Sequence, residues 1–185
     1  MRKRLLLLTG SPGVGKTTLL LRVVEALRTR GYSVGGMVSR EVRSCGARVG
    51  FELLDLSSLK RGWLAHVNQK TGPNIGRYHV NLDDLEGLGA QAIVNAVDKC
   101  DIVAVDEVGP MELFSEKFKE AVAKAGESKK LVVSVVHLKS RSVLIEEMKG
   151  REDAETYTVT CQNRGSLHEA VFRKAVEYLE SRHTE

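Results

Sequence analysis

Cysteine is scarce: Cys45, Cys100 and Cys161 are the only three in 185 residues. Their odd number and wide spacing argue against a disulfide framework, and none pairs with another cysteine or a histidine at metal-ligand spacing. Free thiols in a reducing compartment fit this pattern. Aromatic residues make up 5% of the chain, which leaves little material for a base-stacking surface. No apolar run approaches the ~20 residues needed to cross a bilayer. The opening MRKRLLLL starts like a secretory signal, but its apolar run stops at Thr9, short of the ~7–15 residues of a signal core. The expected location is cytoplasmic. Long tracts of one charge sign are also missing. The formal charge of +4 tolerates an anionic ligand without arguing for nucleic acid. Internal repeats and low-complexity segments are absent, and a monomer is the default expectation.

The apolar fraction of 42% supports a real core, and the length suggests one domain over residues 1–185. Short apolar runs occur at Leu5 to Leu8, in DIVAVDE from Asp101 and in LVVSVV from Leu131. Such runs suit strands buried on both faces of a parallel sheet. GMVS near Met37 and YTVT near Tyr157 are weaker strand candidates. Between them lie helical stripes. One carries Leu19, Leu20, Val23, Val24 and Leu27; another carries Leu85, Leu88, Ala92, Ile93 and Ala96. Asp83 with Glu86 and Ser166 with Glu169 have capping-box spacing, and Ser115 is placed to cap a third helix. Alternating strands and helices predict an α/β fold with a mostly parallel sheet and helices on both faces. Residues 48–82 break the rhythm with short alternating runs and a Gly72–Pro73–Asn74 turn. They predict a small antiparallel β insertion.

The stretch GSPGVGKT comprises Gly10, Ser11, Pro12, Gly13, Val14, Gly15, Lys16 and Thr17. It fits G-x-x-x-x-G-K-[ST], the Walker A pattern, between a strand and a helix. A triphosphate needs many donors at close range, and glycines let backbone N–H groups curl inward to supply them. The following helix points its positive end at the same place. Lys16 can reach the outer phosphates as a point charge. The Thr17 hydroxyl can hold Mg²⁺, and Thr18 adds a phosphate contact.

The run IVAVDE ends in Asp106 and Glu107, the order of a Walker B strand. Acids closing a buried strand are costly unless a cation waits there. Mg²⁺ fits, with Asp106 holding it through water. Glu107 is placed to orient the attacking water at the γ-phosphate. DEVG also spells D-x-x-G, so the Gly109 N–H can sense that phosphate. No N-K-x-D stretch occurs, so no guanine-reading loop of the usual GTPase kind is present.

With LTGSPGVGKTTL, EVRSCGARVGFELLDL, GRYHVNL, VDEVGPMELFS and VTCQNR on the page, the chain resembles the P-loop nucleoside-triphosphatases first described in thermophiles. A human relative of that family is the cancer-related nucleoside-triphosphatase. The resemblance covers nearly the whole chain. It implies a RecA-like core with one strand between the phosphate-loop strand and the acidic strand. It also implies Mg²⁺-dependent hydrolysis of ATP, GTP, CTP and UTP to diphosphates with loose base selectivity. Residues 10–17 would bind phosphates, Asp106 and Glu107 would serve metal and water, and Glu112 would sit at the same end of the sheet. Asn163 and Arg164 would make the base-side contact. A second glycine frequent in relatives is missing near Cys45.

Arg40, Arg43, Arg48 and Arg77 are candidates for a cation on the γ-phosphate. Arg43 is the first choice, because it follows the second parallel strand in a glycine-containing loop. Slow hydrolysis, on the order of 10⁻² s⁻¹ or less, is expected without an external arginine finger. Two other functions stay open at this point. A nucleotide or nucleoside kinase could use HLKSRSVLIEEMKGRED as a lid, although Glu107 speaks against it. A nucleotide-gated RNA-binding module could use Phe51, Trp63 and Tyr78 for stacking.

Overall fold

A computed structural model describes residues 2–182. Among the described residues nine strands form one sheet, which runs from β5 (Asn74–Ile75) through β6 (Tyr78–Val80), β4 (Arg61–His66), β3 (Ala47–Asp55), β2 (Val34–Ser44), β7 (Ile102–Val108), β8 (Leu131–Val136) and β1 (Leu5–Thr9) to β9 (Ala154–Thr158). The parallel part contains β2, β7, β8, β1 and β9. Strand β8 lies between β1 and β7, which is the RecA-like arrangement expected above. The antiparallel part contains β3, β4, β5 and β6. These strands extend the same sheet from β2 outward.

Strand alternation decides which helices cover which face. Leu6 and Leu8 of β1 pack with α1 (Lys16–Thr29) and α6 (Leu167–Arg182). Leu5 and Leu7 pack on the other side with α3 (Gln91–Lys99), α4 (Glu116–Glu127) and α5 (Val143–Gly150). Leu5 to Leu8 are fully buried, as a strand sandwiched between two helical layers requires.

Some details depart from the sequence reading. The helix expected to start at Asp83 is instead capped by Asn81, whose side chain accepts from the Asp84 N–H. A short α2 (Leu82–Asp84) then passes through a π-helical segment, Leu85–Ala90, into α3. Ser115 caps α4 as expected, accepting from the Phe118 N–H at 3.1 Å. The weak strand candidate around Met37 is the eleven-residue β2. It turns into β3 at Cys45 (φ 48°) and Gly46 (φ 79°), the two left-handed positions of a tight hairpin. Cys45 therefore holds a left-handed position in the region where the second glycine of relatives is missing. Trp63 lies on β4 at 37% exposure, edge-on to His66 with ring centroids 4.6 Å apart. Among the described residues, no helix is long and apolar enough to cross a membrane.

Candidate functional site

The residues singled out from the sequence gather at the carboxyl ends of β1 and β7, with β8 between them. After Thr9 the chain turns sharply at Gly10, with φ 150°. A Cβ there would meet the Val159 carbonyl oxygen at 2.5 Å, so only glycine fits between the two loops. The Val159 N–H donates to the Thr9 carbonyl at 2.7 Å, which ties the loop after β9 to the loop after β1. Val14 is buried among the α1-side residues and pins the middle of the phosphate loop. Gly15 precedes α1 in the left-handed region, with φ 108°. No side chain caps that helix, and its first turn holds no acid. The first backbone N–H groups of α1 and its positive dipole end therefore face outward unclaimed, which favours an anion. Lys16 folds back over the loop, its Nζ donating to the Gly10 carbonyl at 3.0 Å and the Ser11 carbonyl at 3.2 Å.

Asp106 is 2% exposed. Burial pushes its carboxyl up to about 7, a hydrogen bond from Thr17 and the charge of Lys16 pull the other way, and Glu107 pushes it further up. Its Oδ2 is buried without a hydrogen-bond partner. A buried carboxylate oxygen left unsatisfied on an acid that neighbours Thr17 is a costly arrangement unless a cation completes it. The donor set, one carboxylate and one hydroxyl, consists of hard oxygen ligands suited to Mg²⁺. Among the described residues, no group of three or more His, Cys, Asp or Glu side chains could cage a metal. A Mg²⁺ ion here would draw its remaining ligands from water and phosphate, as is usual for that ion.

Glu107 and Glu112 converge on Gly109. A Cβ on Gly109 would lie 2.6 Å from Glu107 Oε1 and 3.2 Å from Glu112 Oε2. Glu112, expected at this end of the sheet, is 3% exposed. Burial pushes its carboxyl up to about 8, with Glu107 and Asp106 adding to the rise and backbone N–H groups of Glu112 and Gly109 opposing it. The site thus holds three neighbouring acids, of which Glu107 alone is partly open to solvent.

The loop after β9 is built by Asn163. Its Oδ1 accepts from the Thr160 N–H at 2.8 Å, and its Nδ2 donates to the Thr158 carbonyl at 2.9 Å. Asn163 therefore spends its amide on shaping the loop. Arg164 reaches across to the phosphate loop, donating to the Val14 carbonyl at 3.5 Å. Ser11, Pro12, Gly13 and Thr18 are exposed on the same loop and first helical turn. Arg43 stands apart on the β2–β3 hairpin, with its Nε 2.5 Å from Glu41 and its Nη1 donating to the Gly46 carbonyl at 2.9 Å. His137, which follows β8 between the phosphate-loop and acidic strands, was not singled out from the sequence. Its N–H donates to the Val108 carbonyl at 3.1 Å, and its Nδ1 accepts from the Lys139 N–H at 3.3 Å. The signal was its position directly after LVVSVV.

A family model described as NTPase matches residues 5–172. The chain is 46% identical over 162 residues to the nucleoside-triphosphatase THEP1 of Thermofilum pendens, covering 87% of this chain and 89% of that one. The nucleoside-triphosphatase THEP1 of Methanosarcina acetivorans is 44% identical over 172 residues, 92% of this chain and 96% of that one. Among solved structures, THEP1 from Aquifex aeolicus superposes with a TM-score of 0.80 at 28% identity, covering 90% of this chain and 96% of that one. The solution structure of a human cancer-related nucleoside triphosphatase gives 0.78 at 33% identity, covering 94% and 96%. With an uncapped helix behind a glycine cradle, a buried acid facing Thr17, and these matches along nearly its full length, the chain belongs to the NTPase family.

Proposed function

We propose that this protein is a Mg²⁺-dependent nucleoside-triphosphatase that releases phosphate from ATP, GTP, CTP and UTP with little base selectivity. The observation that carries this reading is the orphaned Oδ2 of Asp106, buried beside Thr17 and within reach of the Lys16 charge. A polyphosphate accompanied by its divalent cation satisfies that oxygen, the bare end of α1 and the lysine together. Thr17 and Asp106 would hold the ion, which would supply charge neutralisation on the phosphate oxygens.

The chain's own groups do the rest. Residues 10–17 wrap the phosphates with backbone N–H donors. Lys16 exchanges the Gly10 and Ser11 carbonyls for phosphate oxygens. Glu107, the partly open acid, accepts a hydrogen bond from a water and aims it at the γ-phosphorus. The Gly109 N–H lies next to it. Loose base selectivity follows from Asn163, whose amide is already engaged within its own loop. Arg164 is left to contact the nucleotide on that side. The three unpaired thiols, two of them exposed, suit a reducing cytoplasmic setting.

The test is phosphate release from the four triphosphates, with and without Mg²⁺ and with a panel of nucleosides and monophosphates as acceptors. Acceptor-independent phosphate release on the order of 10⁻² s⁻¹ is expected. Release that requires an acceptor, or turnover in the tens per second, would refute the scheme. Glu107→Gln should retain nucleotide affinity and lose at least ~100-fold in kcat; near-normal turnover would remove Glu107 from its role.

A further inference from the structure

We infer that Arg40, rather than Arg43, is the cation supplied in cis to the γ-phosphate. This rests on the nucleoside-triphosphate reading of the site. Strand β2 is longer than its parallel partnership. Only Val34 to Val38 pair with β7, and the last of these pairs is Val38 with Asp106. From Ser39 onward β2 has β3 on one side and overhangs the carboxyl end of β7 on the other.

Alternation settles the face. Val34 and Val38 pack on the α1 side together with Ile102 and Ala104 of β7. Arg40 is two residues beyond Val38, before the irregularity between Val42 and Arg43, and so emerges on that same side. It stands one pleat, about 6.6–6.8 Å, farther along than the Asp106 pair and one strand spacing, about 4.8 Å, across from it. The two offsets combine to about 8 Å, and an extended arginine would span most of that distance toward the outer phosphate beside Asp106.

Arg40 is also uncommitted. It is exposed and has no side-chain hydrogen bond or ion pair among the described residues. The residue directly across on β3 is Glu52, the natural cross-strand partner for a cation. Glu52 instead accepts from Arg61 at 2.7 Å. The other candidate arginines are engaged on the opposite face. Glu41 is paired with Phe51, which packs on the α3 side with Tyr78. Arg43 and Arg48 both bond Glu41, at 2.5 and 3.1 Å. Arg48 further donates to the Tyr78 hydroxyl at 2.8 Å and lies over the rings of Phe51 and Tyr78. Arg77 donates to the same hydroxyl at 3.1 Å and to the Arg48 carbonyl. Each therefore has a partner to abandon and a face to change, whereas Arg40 has neither. A guanidinium fork on the γ-phosphate oxygens stabilises the charge that spreads over them in the transition state.

The experiment compares the wild type with Arg40→Ala, Arg40→Lys and Arg43→Ala in steady-state ATP hydrolysis. It also measures retention of ADP with Mg²⁺ and fluoroaluminate, a transition-state mimic. Arg40→Ala should lower kcat by at least ~30-fold, leave KM within ~3-fold, and fail to trap ADP while binding ADP normally. Arg40→Lys should recover only part of the rate, because it restores charge without the fork. Arg43→Ala should stay within ~3-fold of the wild type. Wild-type hydrolysis matched by an Arg40→Ala variant that also traps ADP would overturn the assignment while leaving the site reading intact. A wild type that neither binds nor hydrolyses any triphosphate would overturn the site reading, and the assignment with it.

Discussion

Replacing Glu112 by glutamine should make the protein more stable at high pH and leave it unchanged at low pH. Glu112 is buried, with its carboxyl moved from 4.5 to about 8. Between those two values the native state holds a proton that the unfolded chain has already lost. Stability therefore falls as pH rises from 4.5 to about 8, and is flat on either side. At 1.36 kcal/mol per pH unit, the full gap corresponds to roughly 5 kcal/mol, and roughly 3 kcal/mol is already lost at pH 7. Glutamine mimics the protonated acid: its amide oxygen still accepts a backbone N–H, and it carries no charge to desolvate. The variant should match the wild type at pH 4.5 and pull ahead steadily to pH 8. For a chain of this length each kcal/mol moves Tm by ~2–4 °C, so the separation at pH 9 should be about 10 °C or more. Thermal melts of the two proteins without nucleotide, in buffers from pH 4.5 to 9 at constant ionic strength, measure it. A separation that stays constant with pH, or a variant less stable at pH 9, would refute the account of Glu112 as an acid buried at a cost.

Two further outcomes follow from the loops. Gly10→Ala drives a methyl against the Val159 carbonyl, 2.5 Å away, at a left-handed φ. It should cost about 2–3 kcal/mol in urea unfolding and weaken ATP binding at least ~10-fold by calorimetry, and a variant with unaltered affinity would mean that the two loops are not held in contact. Asn163→Ala removes two hydrogen bonds inside its own loop, a loss of about 1–2 kcal/mol. The ratio of kcat/KM values among ATP, GTP, CTP and UTP should nevertheless stay within ~3-fold of the wild-type ratio; a selective loss with one base would show that the amide reads it.

What could be read from the sequence depended on whether the relevant partners lie close along the chain. The phosphate loop was legible because Gly10 to Thr17 contain their own logic: glycines for the turn, a lysine, a hydroxyl, and a helix to follow. Asp106 and Glu107 were legible because acids closing an apolar run need an explanation. The strand between β1 and β7 came from the resemblance and holds in the structure. The length of β2 was not legible, since Gly35 and Gly36 weaken its strand pattern. Gly36 takes φ 110° and packs against the Ala104 backbone, a fact of pairing with a strand some 70 residues away. The start of the helix near Asp83 was misplaced because Asn81 and Asp83 are both capping residue types, and the choice between them is made by how the chain leaves β6. Which arginine is uncommitted was equally hidden. The answer depends on Glu52 choosing Arg61 and on Glu41 facing Phe51, neither of which spacing reveals.

The contact between Gly10 and Val159, with the Thr9–Val159 hydrogen bond beside it, fastens the phosphate cradle to the strap bearing Arg164. Those two parts are yoked, so a nucleotide bound as proposed would meet a fixed gauge between the Arg164 side and its phosphates. Any tightening during turnover then falls to the opposite bank, where the free length of β2 has no strand beyond Val38 to restrain it on the nucleotide side. The pocket should behave as a vice with one fixed jaw, and its moving jaw is the hairpin.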